Sequence, residues 1–230
     1  MVQQIDADEQ RELRVGSCAV TVRAAFFDFG GVILSSPFEA FNAYEAANDL
    51  PRDFIRTVNS TDPDTNAWAR FERSEVGFDE FCDLFEAECA AAGHPVVARE
   101  VMPLLAGQIR PAMVEAVRRC RERLVTACLT NNWVSFDDFP SDGRAGGRDE
   151  ALDLFHHVIE SSKVGLRKPD PAFYELACRT CDVEPSEAVF LDDLGVNLKP
   201  AAAMGMTTIK VVDPAEALRE LERVVGFPLG

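Results

Sequence analysis

Five short apolar runs recur along this chain, each five to seven residues long and built largely of β-branched, aromatic or small residues. They are AAFFDF (24–29), LVTACLT (124–130), HVIES (157–161, the weakest), AVFLDD (188–193) and TTIKVV (207–212). Runs of this length with no polar face read as strands buried on both sides. Helical patterns lie between them. PAMVEAVRRCRERL opens on Pro111, suited to a first helical turn, and its Met113, Val114, Val117 and Cys120 share one face. DPAFYELACRTC offers Asp170 as an N-cap before Pro171, and NLKPAAAMG offers Asn197 as a cap and Gly205 as a stop. Strands that alternate with helices predict an α/β fold, a Rossmann-like doubly wound parallel sheet with helices on both faces.

The alternation fails in one place. Residues 36–107 hold the patterns FEAFNAYEAAND, PRDFIRTVN, TNAWARFERSE and FDEFCDLFEAECAAAG, all amphipathic and helical, with no strand-like run among them. This predicts an all-helical insertion after the first strand, with residues 23–35 and 108–230 forming the sheet domain. Residues 1–22 read as a polar, acidic tail and lead-in, and the Gly-rich stretch 139–150 as a mobile loop. The aromatic residues Trp68, Phe71, Phe78, Phe81 and Phe85 recur at helical spacing and are expected to form the core of the insertion.

Composition narrows the function. At 230 residues the chain is long enough for a substantial core. Its net charge of -16 argues against nucleic acid as a partner, because a phosphate backbone is bound by clustered Lys and Arg. No apolar run approaches the length of a membrane helix, and the first residues lack the basic start and apolar core of a secretion signal. Seven cysteines scattered through apolar segments read as reduced thiols of a cytoplasmic protein. Cys178 and Cys181 form one CxxC inside a helical pattern, which is read as two packed thiols. His94, His156 and His157 are expected to pack or face solvent.

In a parallel α/β sheet, ligands bind at the carboxyl ends of the strands. Those ends carry Asp28, then Thr130 and Asn131, then Asp192 and Asp193, and Lys168 stands just before a helix in GLRKPDP. Three converging carboxylates need a cation to stay ionised together. A hard divalent ion with oxygen ligands fits, and Mg²⁺ is the expected cofactor. Lys168 would add a point charge for an incoming phosphate, and Thr130 would hold its remaining oxygens. An ionised carboxylate can attack phosphorus, and Asp28 is the candidate because it alone interrupts an apolar run. The plainer alternative is a structural acid that caps the Gly30-Gly31 turn.

FFDFGGVI, LTNN, RKPDPAFY and FLDDLGVNLKPAAAMGMTTIKV together resemble the four motifs of the haloacid dehalogenase superfamily. The chain looks most like the branch with the N-terminal phosphatase domain of soluble epoxide hydrolases and the related domain fused to some acyl-CoA dehydrogenases. The resemblance implies a Mg²⁺-dependent phosphatase of a small phosphorylated metabolite. By position, Asp28 matches the nucleophile that forms an aspartyl-phosphate and also ligates metal. Thr130 and Lys168 match the groups that hold the phosphoryl group, with Asn131 lining the pocket. The Asp192–Asp193 pair matches the acidic metal motif, with Asp193 favoured as the direct ligand and Asp192 in support. The backbone carbonyl of Gly30 matches a further metal ligand. The helical insertion matches the small cap domain that closes over the site.

Position 30 departs from the family pattern. Phosphatases of the superfamily usually carry a second Asp there, as general acid to the leaving group and then general base on water. Gly30 has no side chain for either task. Two other readings follow: a metal-independent 2-haloacid dehalogenase-like hydrolase, since halide needs no proton, or a non-catalytic domain that binds a ligand or a protein. Retention of both Asp192 and Asp193 favours phosphate over halide.

Overall fold

The computed structural model describes residues 21–132 and 147–230. Its sheet has five strands in the order β3-β2-β1-β4-β5, all parallel. The strands are β1 (Ala24–Phe27), β2 (Val125–Thr130), β3 (His157–Glu160), β4 (Ala188–Asp192) and β5 (Thr207–Lys210). Every apolar run of the sequence thus forms a strand, and most end one or two residues early. The first ends before Asp28, whose N–H still donates to the carbonyl of Leu191 at 2.8 Å.

Central β1 is buried at all four positions, as a strand covered on both faces must be. Its side chains alternate between two cores. Ala25 and Phe27 join Met113, Val117, Cys128, Leu191 and Leu221 on one face. Ala24 and Phe26 join Leu129, Phe173, Tyr174, Phe190 and Ala201 on the other.

Helices α1 (Phe38–Ala47), α2 (Phe54–Ser60), α3 (Ala67–Glu72), α4 (Phe78–Ala91) and α5 (Ala98–Val101) follow β1. They form a lobe with an apolar cluster of its own, which includes Phe41, Ile55, Trp68, Phe71, Phe81, Phe85 and Met102. At its centre Phe81 stacks on Phe71 at 4.5 Å and on Phe85 at 5.7 Å, and Trp68 meets Phe81 edge-on at 5.1 Å. The two chain segments that enter and leave the lobe lie side by side. Leu34 and Ile109 form an antiparallel bridge. The N–H of Ser35 donates to Gln108 O at 2.8 Å, and that of Arg110 to Ile33 O at 2.9 Å.

Helices α6 (Pro111–Arg121), α7 (Arg148–Leu152), α8 (Ser161–Val164), α9 (Pro171–Cys181), α10 (Gly195–Ala203) and α11 (Pro214–Val225) complete the described chain. Pro111 opens α6, and Asp170 caps α9 by accepting from the N–H of Ala172 at 2.9 Å. Two expectations need correction. Asn197 does not cap α10, which begins two residues earlier; its side chain is drawn instead to the buried carboxylate of Asp192. The stretch 139–150 is not all loop, because Arg148 to Glu150 begin α7 with two acids in its favourable first turn. Residues 139–146, Trp133 and the first 20 residues of the tail lie outside the described residues.

Candidate active site

The ends of β1 and β4 bring two acids to one buried lysine. Lys168 is 1% exposed, and its Nζ lies 2.8 Å from Asp28 Oδ1 and 2.8 Å from Asp192 Oδ2. Burial works against the lysine's charge, yet Asp192 and Asp28 outweigh it and hold the ammonium protonated, above the ordinary lysine range. The loop that carries Lys168 is tied to the end of β2. Asn131 Nδ2 donates to Lys168 O at 3.0 Å, and Lys168 N–H donates to Asn131 Oδ1 at 2.9 Å. Asn131, expected to line a pocket, therefore uses its amide to seat the lysine. Thr130 is buried at the end of β2, two residues past Cys128, the register partner of Phe27.

Asp192 is fully buried and well supplied with donors. Besides Lys168 it accepts from the N–H of Leu194 at 2.8 Å and from Asn197 Nδ2, which lies 3.0 Å from both carboxylate oxygens. Tyr174 anchors that arrangement by donating its hydroxyl to Asn197 O at 2.7 Å. Asp193 differs: among the described residues, the side chain that donates to it is Ser36, from Oγ at 3.2 Å. Burial, and then the charge of Asp192, push the Asp193 carboxyl up to about 6. Asp28 is also raised well above the carboxylate range, first by burial, with Lys168 opposing and Asp192 and Asp193 adding to the shift.

Carboxylate oxygens of Asp28, Asp192 and Asp193 lie within 4.8 Å of one another. Three such acids repel, which adds to the burial that raises Asp28 and Asp193. An all-oxygen donor set with this charge fits a hard divalent cation. Among the described residues, Asp193 draws fewer donors than Asp192, which leaves its oxygens the more open of the pair.

The turn after Asp28 is shaped by its two glycines. Asp28 Oδ1 accepts from the N–H of Phe29 at 2.6 Å. Gly31 has φ of 74°, and a Cβ there would fall 2.2 Å from Asp193 Oδ2, so only glycine lets the turn pass beside that acid. Gly30 is the opposite case: φ is -69°, and an added Cβ would meet nothing within 4 Å. Arg110 Nη1 donates to Gly31 O at 2.6 Å and pins the turn from the lobe's exit segment. Ser36 and Arg110 lie outside the motifs, whereas Tyr174 and Asn197 lie inside them, Tyr174 with no role read for it and Asn197 read only as a helix cap. The one signal for Asn197 is its place five residues after Asp192, in the first turn of the next helix.

The lobe meets the sheet domain beside the lysine loop. Arg167 reaches Glu72 Oε2 with Nε at 2.7 Å and Nη2 at 2.6 Å, and donates from Nη1 to Pro63 O at 2.7 Å. Ser161 Oγ donates to Glu72 O at 2.7 Å, and Ser74 Oγ donates to Ser162 O at 3.1 Å.

The chain that builds this cluster has counterparts among known proteins. A family model described as haloacid dehalogenase-like hydrolase matches residues 22–205. The chain belongs to that family. Within the family, it is 37% identical over 216 residues to acyl-CoA dehydrogenase family member 10 of Mus musculus, covering 90% of this chain and 19% of that protein. It is 34% identical over 223 residues to mouse bifunctional epoxide hydrolase 2, covering 91% of this chain and 40% of that protein. The chain thus spans less than half of each of these relatives. Sesquiterpene phosphatase astK of Aspergillus oryzae is 26% identical over 90% of this chain and 98% of its own. Among solved structures, a HAD family enzyme of Bacteroides thetaiotaomicron in complex with magnesium and inorganic phosphate superposes with a TM-score of 0.54. It is 19% identical, covers 82% of this chain and 93% of its own, and shows the shared fold. The chain is therefore a hydrolase on a Rossmann-like HAD fold.

Proposed function

We propose that this hydrolase is a phosphatase of a small phosphorylated molecule, working through an aspartyl-phosphate on Asp28. The observation that carries the reading is one buried ammonium shared at 2.8 Å between Asp28 and Asp192, beside a third acid. Lys168 holds Asp28 in place and offers positive charge to a phosphoryl group. Thr130, buried beside the nucleophile turn, donates to a phosphoryl oxygen. Asn131 acts through Lys168 by seating its loop. Asp28, Asp193 and the carbonyl of Gly30 would hold Mg²⁺, supported by Asp192; bound there, the ion would neutralise phosphate charge and keep the acids ionised. Residues 36–107 serve as the cap, and 23–35 with 108–230 as the core domain.

The rest of the molecule suits this reading. A net charge of -16 disfavours nucleic acid, while the buried Lys168 offers a local positive charge to a small anion. None of the described helices is long and apolar enough to cross a membrane. The described cysteines are free, and burial pushes Cys178 up to about 11 and Cys181 up to about 12, which suits unreactive thiols in the cytoplasm. The acid pair favours phosphate over a haloacid, whose displacement calls for no such cluster. The deciding experiment is release of p-nitrophenol from p-nitrophenyl phosphate with Mg²⁺ and with EDTA. Turnover is expected only with Mg²⁺ and to vanish in Asp28→Asn; full activity in that variant would sink the reading.

A further inference from the structure

Phosphoryl transfer passes through a loose transition state, in which the bond to the departing oxygen is largely broken and charge gathers on that oxygen. An alcohol must be given a proton to leave well. Among the described residues, no group is placed to give one. Lys168 is committed at 2.8 Å to two carboxylates and is an ion held by that pair. Asp192 has its oxygens engaged by Lys168, Asn197 and Leu194 N–H. Asp193 belongs to the three-acid cluster, and a ligating carboxylate offers lone pairs, not a proton. The hydroxyls of Thr130 and Ser36 donate hydrogen bonds but are far too weak as acids.

Among the described residues, the nearest tyrosine, the lobe acid beside the lysine loop and the histidines are engaged or placed elsewhere. Tyr174 donates to Asn197 O. Glu72, the lobe acid beside the lysine loop, is paired with Arg167. His94 packs on Phe54 at 5.2 Å, His156 Nδ1 accepts from Thr126 N–H at 3.1 Å, and His157 lies in β3 opposite Ala127. Two residues beyond Asp28 stands exposed Gly30, with open space where a side chain would be.

We propose, resting on the phosphatase reading, that the substrate carries its phosphate on an acidic oxygen, and that phosphates of ordinary alcohols are poor substrates. The shared chemistry is a leaving group stable as an anion: a carboxylate, a phenolate or enolate, or a second phosphate. In the first step a carboxylate oxygen of Asp28 bonds to phosphorus while the bond to the substrate oxygen breaks. That oxygen keeps the electron pair and departs as an anion. Water then attacks the aspartyl-phosphate, and Asp28 leaves as a carboxylate, which also needs no proton. The proton lost by water passes to solvent with release of inorganic phosphate.

The test compares kcat/KM of the full chain with Mg²⁺ on acetyl phosphate, p-nitrophenyl phosphate, inorganic pyrophosphate and sn-glycerol 3-phosphate, less the Asp28→Asn background. At least one of the acidic-oxygen substrates should exceed glycerol phosphate by about 10²-fold or more, the span that a general acid commonly supplies. Glycerol phosphate turned over within about tenfold of the best substrate would overturn the proposal and leave the phosphatase reading intact. No Asp28-dependent turnover of any of them would overturn both. A second arm uses Gly30→Asp, whose side chain has room, with Gly30→Asn as the protonless match in size. The ratio of alkyl to aryl turnover should rise by about 10²-fold in the first and stay put in the second. A folded Gly30→Asp enzyme with an unchanged ratio would also overturn the proposal.

Discussion

Asp193→Asn should stabilise the metal-free protein. In the folded chain the Asp193 carboxyl is pushed up to about 6, first by burial and then by Asp192. In the unfolded chain it titrates near 3.9. The folded state therefore binds more protons between these values, and the stability present below about pH 4 is lost as pH rises to about 6. A gap of about two units corresponds to about 3 kcal/mol at pH 7.5. Asparagine carries no charge and keeps an oxygen for the Ser36 hydroxyl, so it escapes this loss. Urea denaturation of both proteins in EDTA should show the variant more stable by about 2–3 kcal/mol at pH 7.5 and equal near pH 4. Mg²⁺ at 100 times its Kd should erase the difference at pH 7.5, since it adds about 2.7 kcal/mol to a protein that binds it. A variant no more stable than wild type in EDTA at pH 7.5 would refute the reasoning.

Two other perturbations probe the same architecture. Lys168→Met keeps the bulk of the lysine but leaves two buried carboxylates facing each other. It should cost about 3–5 kcal/mol at pH 7.5 and less in acid, and a loss below about 1 kcal/mol by urea denaturation would contradict the shared-ammonium geometry. Phe81→Ala removes the ring at the centre of the lobe's aromatic stack and should cost about 3–5 kcal/mol of lobe stability, read by hydrogen exchange in residues 38–106; unchanged protection there would contradict that packing.

What could be read in advance depended on locality. Buried parallel strands advertise themselves as unbroken apolar runs, so AAFF and AVFLD were visible without any partner in view. Asp28 was legible because a charge that interrupts such a run needs a reason, and Asp192 and Asp193 because they close a strand-like run at its carboxyl end. The ends were less clear, since β1 stops before Asp28 only because the turn at Gly30 and Gly31 begins there. The supporting contacts were invisible for a different reason. Asn131 reaches Lys168 across 37 positions, and Ser36 reaches Asp193 across 157. Nothing local distinguishes an asparagine that will bind a ligand from one that will seat a lysine. Asn197 misled because a polar residue near a helix start usually caps it, whereas here a buried carboxylate claimed its amide.

The paired segments at Leu34 and Ile109 have a broader consequence. The helical lobe is a closed loop whose two ends are clamped together by the bridge and its neighbouring hydrogen bonds. The sheet domain therefore meets the loop at that clamp and at the few contacts that Arg167, Ser161 and Ser162 make with the lobe. The entropy of closing a flexible loop grows only with the logarithm of its length, by about 0.6 kcal/mol for each doubling. Lobes of other size can thus be grafted at this junction at little cost in closure entropy, provided that they replace the contacts beside the lysine loop. The chemistry at the strand ends and the shape presented above it are free to change separately.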